Sequence, residues 1–352
     1  MSRLATRGMS DPAAGAPLPV GKVRAAFLAG LFDKHVTLDE RVVVGPRVGE
    51  DAAIIDMGDR YLVATTDPIT FVLDVREDLG WYALVVNAND VAVRGAAPRW
   101  FLATCLLPEG GTTEETVEAL FGQLGAACRN LGVSLVGGHT EVTHGLDRPL
   151  VIGTMLGEVA KDKLVTTSGA RPGDALLLTK GIPVEGTSII ARVRGAELER
   201  RGYPEPVLAR AREYLGRLSV VPEALLAAEL VTIHAMHDPT EGGLATALWE
   251  LAEAAGVGLA IDGDRIPVLP EGRTLCGEFG LDPLGTIASG ALLVACAPAD
   301  APVVLHAWAR EGIDCAYIGR AVPREAGVTL TAGGTARELP RFPQDEITRL
   351  FA

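Results

Sequence analysis

Three carboxylates sit where this sequence could do phosphate or metal chemistry. Asp51 lies in Gly49-Glu-Asp-Ala-Ala53, where a turn enters a short apolar run, and Asp67 follows the strand-like Leu62-Val-Ala-Thr-Thr66. Asp90 closes Asn87-Ala-Asn-Asp90 inside an apolar stretch of helical spacing. Asn87 and Asp90 are three apart and therefore share one helix face. Amides and carboxylates in such a setting are costly to bury without partners. If the three acids converge, their oxygens suit Mg²⁺, a hard cation that takes oxygen ligands and bridges substrate phosphates. Isolated from one another, the same acids would cap turns or hydrogen-bond within the interior.

Two further segments are chemically suggestive. In Leu135-Val-Gly-Gly-His-Thr-Glu141 a strand is expected to end in Gly-Gly and expose backbone amides that could cradle a phosphate. The alternative there is a plain strand-to-loop exit, with His139 a ligand, a phosphate contact or a loop histidine. In His237-Asp-Pro-Thr-Glu-Gly-Gly243 the spacing opens a helix, with Thr240 or Glu241 as its expected cap and its positive end suited to an anion. His234 and His237 are three apart, but no acidic or histidine set nearby completes a zinc site. The chain contains neither a G-x-x-x-x-G-K-[ST] loop nor a G-x-S-x-G elbow.

The elements that must position these residues alternate between strand and helix. Strand-like runs at 52–55, 61–65, 101–107, 134–136 and 150–155 are separated by helix-like stretches at 79–94 and 112–130, which predicts an α/β or α+β first domain. Ser168-Gly-Ala-Arg-Pro-Gly-Asp174 is turn chemistry, so a domain boundary is expected near residue 165. Beyond it come helices at 187–194, 206–215, 222–230, 243–255 and 300–310, and strands at 175–179, 258–261, 291–296, 316–318 and 328–331. The expected organisation is a tail over 1–19, one domain over 20–165 and a second over 166–352. With 352 residues, 32 basic and 45 acidic side chains and a formal charge of −13, the surface is unsuited to nucleic acid or anionic lipid. The five scattered cysteines read as reduced thiols of a cytoplasmic protein, and neither a membrane span nor a signal peptide is expected.

Taken in order, Gly49-Glu-Asp-Ala-Ala53, Thr65-Thr-Asp67, Asn87-Ala-Asn-Asp90, Gly137-Gly-His-Thr140, Arg171-Pro-Gly-Asp174 and Asp238-Pro-Thr-Glu-Gly-Gly243 resemble the aminoimidazole-ribonucleotide (AIR) synthase superfamily, and within it the HypE-type hydrogenase maturation proteins. Gly280-Leu-Asp-Pro-Leu284, Ser289-Gly290 and Ile318-Gly319 extend the resemblance through the second half. It implies a PurM-like two-domain fold, in which the first domain joins its twin in an intersubunit β-barrel of a homodimer. It also implies Mg²⁺-ATP bound by the first domain. Asp51, Asp67 and Asp90 would hold the metal, and Asp67, Asp90 and Lys22 would take catalytic roles. Thr66, Asn87, Gly137, Gly138, His139 and Thr140 would contact the nucleotide.

The implied activity is ATP-dependent activation of an amide, carbamoyl or similar oxygen by phosphoryl transfer, with a maturation partner protein or a small-molecule acceptor. Two departures are visible. His139 stands where the family usually has an acid, and the terminal Pro-Arg-Ile-Cys is missing from a chain whose last cysteine is Cys315. The acceptor is therefore expected on another molecule. A selenophosphate-synthetase reading would need a reactive residue early in the chain, whereas the first cysteine is Cys105. Rival readings are a small-metabolite kinase or synthase, of thiamine-phosphate kinase or AIR synthase type, and a non-catalytic ATP-binding protein.

Overall fold

The computed structural model describes residues 18, 23, 25–47, 49–69 and 78–351. Lys22 and nearly all of the 1–19 segment lie outside the described residues. The chain divides into two compact units between residues 37 and 38. The first contains α1 (Ala25–His35), with Lys34 and His35 in its last turn, where cations complement the helix dipole.

The second unit contains two sheets. Residue 165 falls between the last strand of one and the first strand of the other. The first sheet is built from β1 (Val42–Val44), β2 (Ala53–Asp56), β3 (Arg60–Ile69), β4 (Ala97–Pro108), β5 (Ser134–Thr143) and β6 (Leu150–Ala160). Its six strands run in the order β1-β2-β3-β6-β4-β5, with β4 and β5 parallel and every other pair antiparallel. Helices α2 (Leu79–Ala92) and α3 (Glu114–Leu131) belong to this half. Along β6 every second residue is buried, the period expected when one sheet face is covered. Glycines at 153 and 157 make room for α2, since a Cβ there would collide with Asn87 and Val91 respectively. That close approach sets α2, and with it Asp90, directly on β6 and β3.

The second sheet comprises β7 (Ala175–Thr179), β8 (Ile233–His237), β9 (Gly258–Asp262), β10 (Leu293–Cys296), β11 (Cys315–Val322), β12 (Val328–Ala332) and β13 (Thr335–Glu338). Its order is β13-β12-β9-β11-β7-β10-β8, with only β9 and β12 parallel. All five residues of β7 and all four of β10 are buried, as continuous apolar runs require of central strands. The helices of this half are α4 (Val184–Val193), α5 (Gly195–Arg200), α6 (Glu205–Glu213), α7 (Val221–Leu230), α8 (Gly243–Ala255), α9 (Pro270–Glu278) and α10 (Ala301–Arg310). One core joins α2, α3 and the first sheet to α7 and α10; a second lies under α8; a third groups α4, α6 and α9.

Several sequence expectations are corrected. Residues 134–136 do not form a short strand with a Gly-Gly exit, because β5 continues to Thr143 and pairs with β4 throughout. Asp67 lies within β3 rather than after it, paired with Gly153. Neither Thr240 nor Glu241 caps α8: its N-cap is Gly242, in the left-handed region (φ 81°), followed by Gly243 (φ 64°). The carboxylate beside that helix start comes from far along the chain, as the Gly242 amide donates to Asp345 Oδ2 at 2.6 Å. Strands β1, β8 and β13 and helices α5 and α9 were not legible from periodicity; α9 is a polar nine-residue helix with a weak apolar face.

Candidate active site

Two of the three predicted carboxylates reach the site from the first sheet and the helix on it. The Asn87 amide accepts from the Asp67 backbone N–H (2.9 Å) and donates to the Ala83 carbonyl (2.8 Å). In this structure Asn87 therefore ties α2 to β3 and positions Asp67. One turn on, Asp90 is buried. Thr65 Oγ1 lies 2.9 Å from both Asp90 Oδ2 and the Asp51 carbonyl oxygen. One hydroxyl proton cannot serve two acceptors, so both bonds are made when Asp90 itself carries a proton. Burial, reinforced by the charges of Asp67, Asp238 and Asp51, raises the Asp90 carboxyl well above the usual range, in keeping with that arrangement.

The other contributions come from the turn before β2 and from the end of β8. Gly49 (φ 83°) lets that turn settle against Ala254 and Glu250 of α8. The turn brings Asp51 to His237 and Asp238, and one ligand atom from each of the three lies within 4.8 Å of the others. His237 bridges two acids, with Nε2 2.8 Å from Glu250 Oε2 and Nδ1 3.5 Å from Asp51 Oδ2. Burial pushes its pKa down, but the charges of Asp51, Glu250 and Asp238 outweigh this and raise it to about 9.

Asp238 is the most demanding group. It is 1% exposed, and neither carboxylate oxygen has a hydrogen-bond partner among the described residues. Burial, with Asp51 second, pushes it up to about 7. An orphaned buried carboxylate facing a second carboxylate and an imidazole is a donor set that fits a divalent cation.

Asp51, Asp90 and Asp238 are thus joined electrostatically with Asp67, but among the described residues the group with ligand spacing is Asp51, His237 and Asp238 rather than Asp51, Asp67 and Asp90. Sequence reasoning weighed the segment from His237 to Gly243 without assigning its acid, and it passed over Arg94. The signal for Arg94 was a charge closing the apolar run Val91-Ala-Val93, and that for Asp238 was its place at the head of Asp238-Pro-Thr-Glu-Gly-Gly243. Arg94 is fully buried and donates to Asp51 Oδ2 at 2.9 Å.

Other predicted contacts stand apart. Thr66 is exposed and donates to the Gly153 carbonyl at 2.8 Å. Gly137, Gly138, His139 and Thr140 lie on exposed β5, with β4 and β6 between them and Asp67. His139 is 3.0 Å from Glu141.

The N-terminal-domain model of AIR synthase related protein matches residues 49–159, and the C-terminal-domain model matches 171–331. The chain is 33% identical over 267 residues to the carbamoyl dehydratase HypE of Cupriavidus necator, covering 74% of this chain and 73% of that protein. It is 29% identical over 315 residues to a putative hydrogenase expression/formation protein of Methanocaldococcus jannaschii, covering 88% of this chain and 91% of the other. Among solved structures, hydrogenase maturation protein HypE in complex with ATP is 26% identical, with a TM-score of 0.68 over 90% of this chain and 91% of that one.

Proposed function

This chain belongs to the AIR synthase related family, and from that premise we propose a HypE-like ATP-dependent enzyme that activates an amide, carbamoyl or similar oxygen by phosphoryl transfer. The observation that carries the reading is the convergence of Asp51, Asp67, Asp90 and the orphaned Asp238 from both halves of the chain. These acids would hold Mg²⁺, with His237 positioning Asp51 beside them; when bound, the ion would neutralise the phosphate oxygens of ATP. Asn87 and Thr65 hold Asp67 and Asp90 in place, so that little reorganisation accompanies the reaction.

The acceptor is a carbamoyl-type or other molecule, supplied in solution or by a maturation partner protein. The five cysteines of this sequence are poor acceptors. Four are buried and Cys315 is half-buried. Burial raises all five thiols, Cys276 and Cys296 up to about 12, which leaves little nucleophilic thiolate. ADP release screened against carbamoylated, amide and phosphomonoester acceptors tests the function. Acceptor-dependent release is expected with the first two classes, and release with none of them would reduce the protein to an ATP binder.

Changing Asp67 or Asp90 to Asn is expected to weaken Mg²⁺-dependent ATP binding at least tenfold, roughly 1.4 kcal/mol. Calorimetry showing wild-type affinity in both variants would remove these residues from the site. Assembly gives a second expectation. Nine of the ten β5 residues are exposed, Val136 and Val142 by more than half, and among the described residues no strand pairs with the outer edge of β5. An open edge of this kind invites pairing, and a twofold homodimer closes it with the same patch on each chain. Sedimentation should give about twice 36.8 kDa. A monomer at micromolar concentration contradicts the barrel.

A further inference from the structure

Residues 217–220 lead from a short 3-10 turn into α7, and three successive carbonyls there accept hydrogen bonds from side chains. Asn89 reaches the segment from α2. Its Nδ2 donates to the Leu218 carbonyl at 2.9 Å, and its Oδ1 accepts from the Val220 N–H at 2.8 Å. Lys180 reaches the same segment from the end of β7, where Nζ donates to the carbonyls of Arg217 at 3.1 Å and Ser219 at 2.6 Å. Both side chains are buried, that of Asn89 fully. Nζ also stands 2.5 Å from Glu223 Oε1, the countercharge that a buried ammonium needs. Lys180 takes a φ of 57°, a left-handed conformation that a lysine holds only with tertiary support. Gly290 (φ 101°) leaves room for the segment, since a Cβ there would stand 2.9 Å from the Arg217 carbonyl oxygen. One stretch of backbone is thus gripped by a side chain from each half.

We propose that Asn89 and Lys180 are positioning residues of the candidate site, fixing the second half against α2 so that Asp238 meets Asp51, Asp67 and Asp90. The inference rests on the metal-site reading above. Asn89 immediately precedes Asp90 and is turned about 100° from it around α2. One face of the helix therefore carries a site acid while the next holds the other half. On the far side, Lys180 follows β7, which pairs with β10, and β10 pairs with β8, the strand that ends just before Asp238. Acids from the two halves repel one another when ionised, so they cannot draw the halves together by themselves. Hydrogen bonds to neutral backbone carbonyls supply that hold, and they leave the site oxygens free for an ion.

Mn²⁺ affinity reads how the two halves meet. The full-length, nucleotide-free protein, stripped with EDTA and exchanged into chelator-free buffer, is titrated with Mn²⁺ while the resonance signal of the unbound ion is followed. The temperature is one at which circular dichroism shows every variant folded. Asn89→Ala and Lys180→Met are each expected to bind Mn²⁺ roughly tenfold or more weakly than wild type. Because both act through residues 217–220, the double variant should stay within about twofold of the weaker single variant. Losses that multiply in the double variant would mean two unrelated structural defects and overturn the positioning role. Wild-type affinity in either folded single variant overturns it too. Where one of them does not fold, Asn89→Asp, which loses only the bond to Leu218, or Lys180→Gln, which keeps a donor, takes its place under the same criteria. If wild-type protein binds no Mn²⁺, the metal-site reading itself fails, and the positioning role with it.

Discussion

Replacing Asp238 with Asn is expected to lower ATP turnover by about two to three orders of magnitude while leaving the metal-free fold at least as stable as wild type. The two effects have one cause. Asp238 is buried, and both oxygens are without hydrogen-bond partners among the described residues, an arrangement that costs folding free energy whenever the group is ionised. Asparagine removes that charge, keeps the shape and can donate its amide to Asp51. The same change takes an anionic oxygen ligand from the group it forms with Asp51 and His237, and the loss falls on the step in which phosphate charge is being neutralised. ADP release under saturating ATP and Mg²⁺, together with thermal unfolding in EDTA at pH 8, measures both. A variant that melts several degrees lower and turns over normally would make Asp238 a structural residue and end the metal-site reading.

The metal-free protein is also expected to lose stability as pH rises from about 4 to about 9, and added Mg²⁺ to restore it most at the alkaline end. The direction follows from groups whose pKa is raised by folding. Asp238 and Glu185 are each pushed up to about 7 and Asp345 up to about 6, in every case with burial as the largest cause. A carboxyl of this kind binds its proton more tightly in the folded chain. Its contribution is therefore fully present below the unfolded value near 4 and is lost as pH climbs through the folded value. For Asp238 alone this amounts to at most about 4 kcal/mol.

His237, raised to about 9 by its three acidic neighbours against the pull of burial, extends the same trend from about 6.5 to about 9. Exposed acids with lowered values, such as Asp56 beside Lys161 and Asp39 beside Arg41, act in the opposite sense. Their contribution is lost as pH falls below about 4. Melting in EDTA should therefore occur roughly 5 °C lower at pH 8 than at pH 5, with Mg²⁺ narrowing the gap. A melting temperature that rises between pH 5 and pH 8 in EDTA would show that the buried acids are not protonated in the folded chain.

Much of the secondary structure was legible because burial leaves a period in the sequence. The β7 run Ala175–Thr179 and the helix Gly243–Ala255 were read with the ends the structure has. Both are elements whose apolar residues face a core and whose flanks carry glycine or turn residues. Strand β5 was misread for the complementary reason. Exposed on both faces, it has no alternation to betray it, and its Gly-Gly pair mimics a strand end. Helix α8 was placed correctly but capped wrongly. Its start is met by Asp345, and no local pattern can announce a partner more than a hundred residues away.

The order and spacing of the acidic motifs determined the family, and with it the expectation that Asp51, Asp67 and Asp90 meet phosphate and metal. Only the tertiary structure decided which oxygens converge. Gly153 and Gly157 let α2 sink onto β6, the turn at Gly49 packs on α8, and β8 delivers His237 and Asp238 to the same point. These are long-range packing facts, each depending on the volume of side chains far apart in sequence, so Asp238 was legible only as the first residue of a motif and Arg94 only as a charge closing an apolar run. Their shared burial, where a charge must find a partner or a proton, is what turns them into a site.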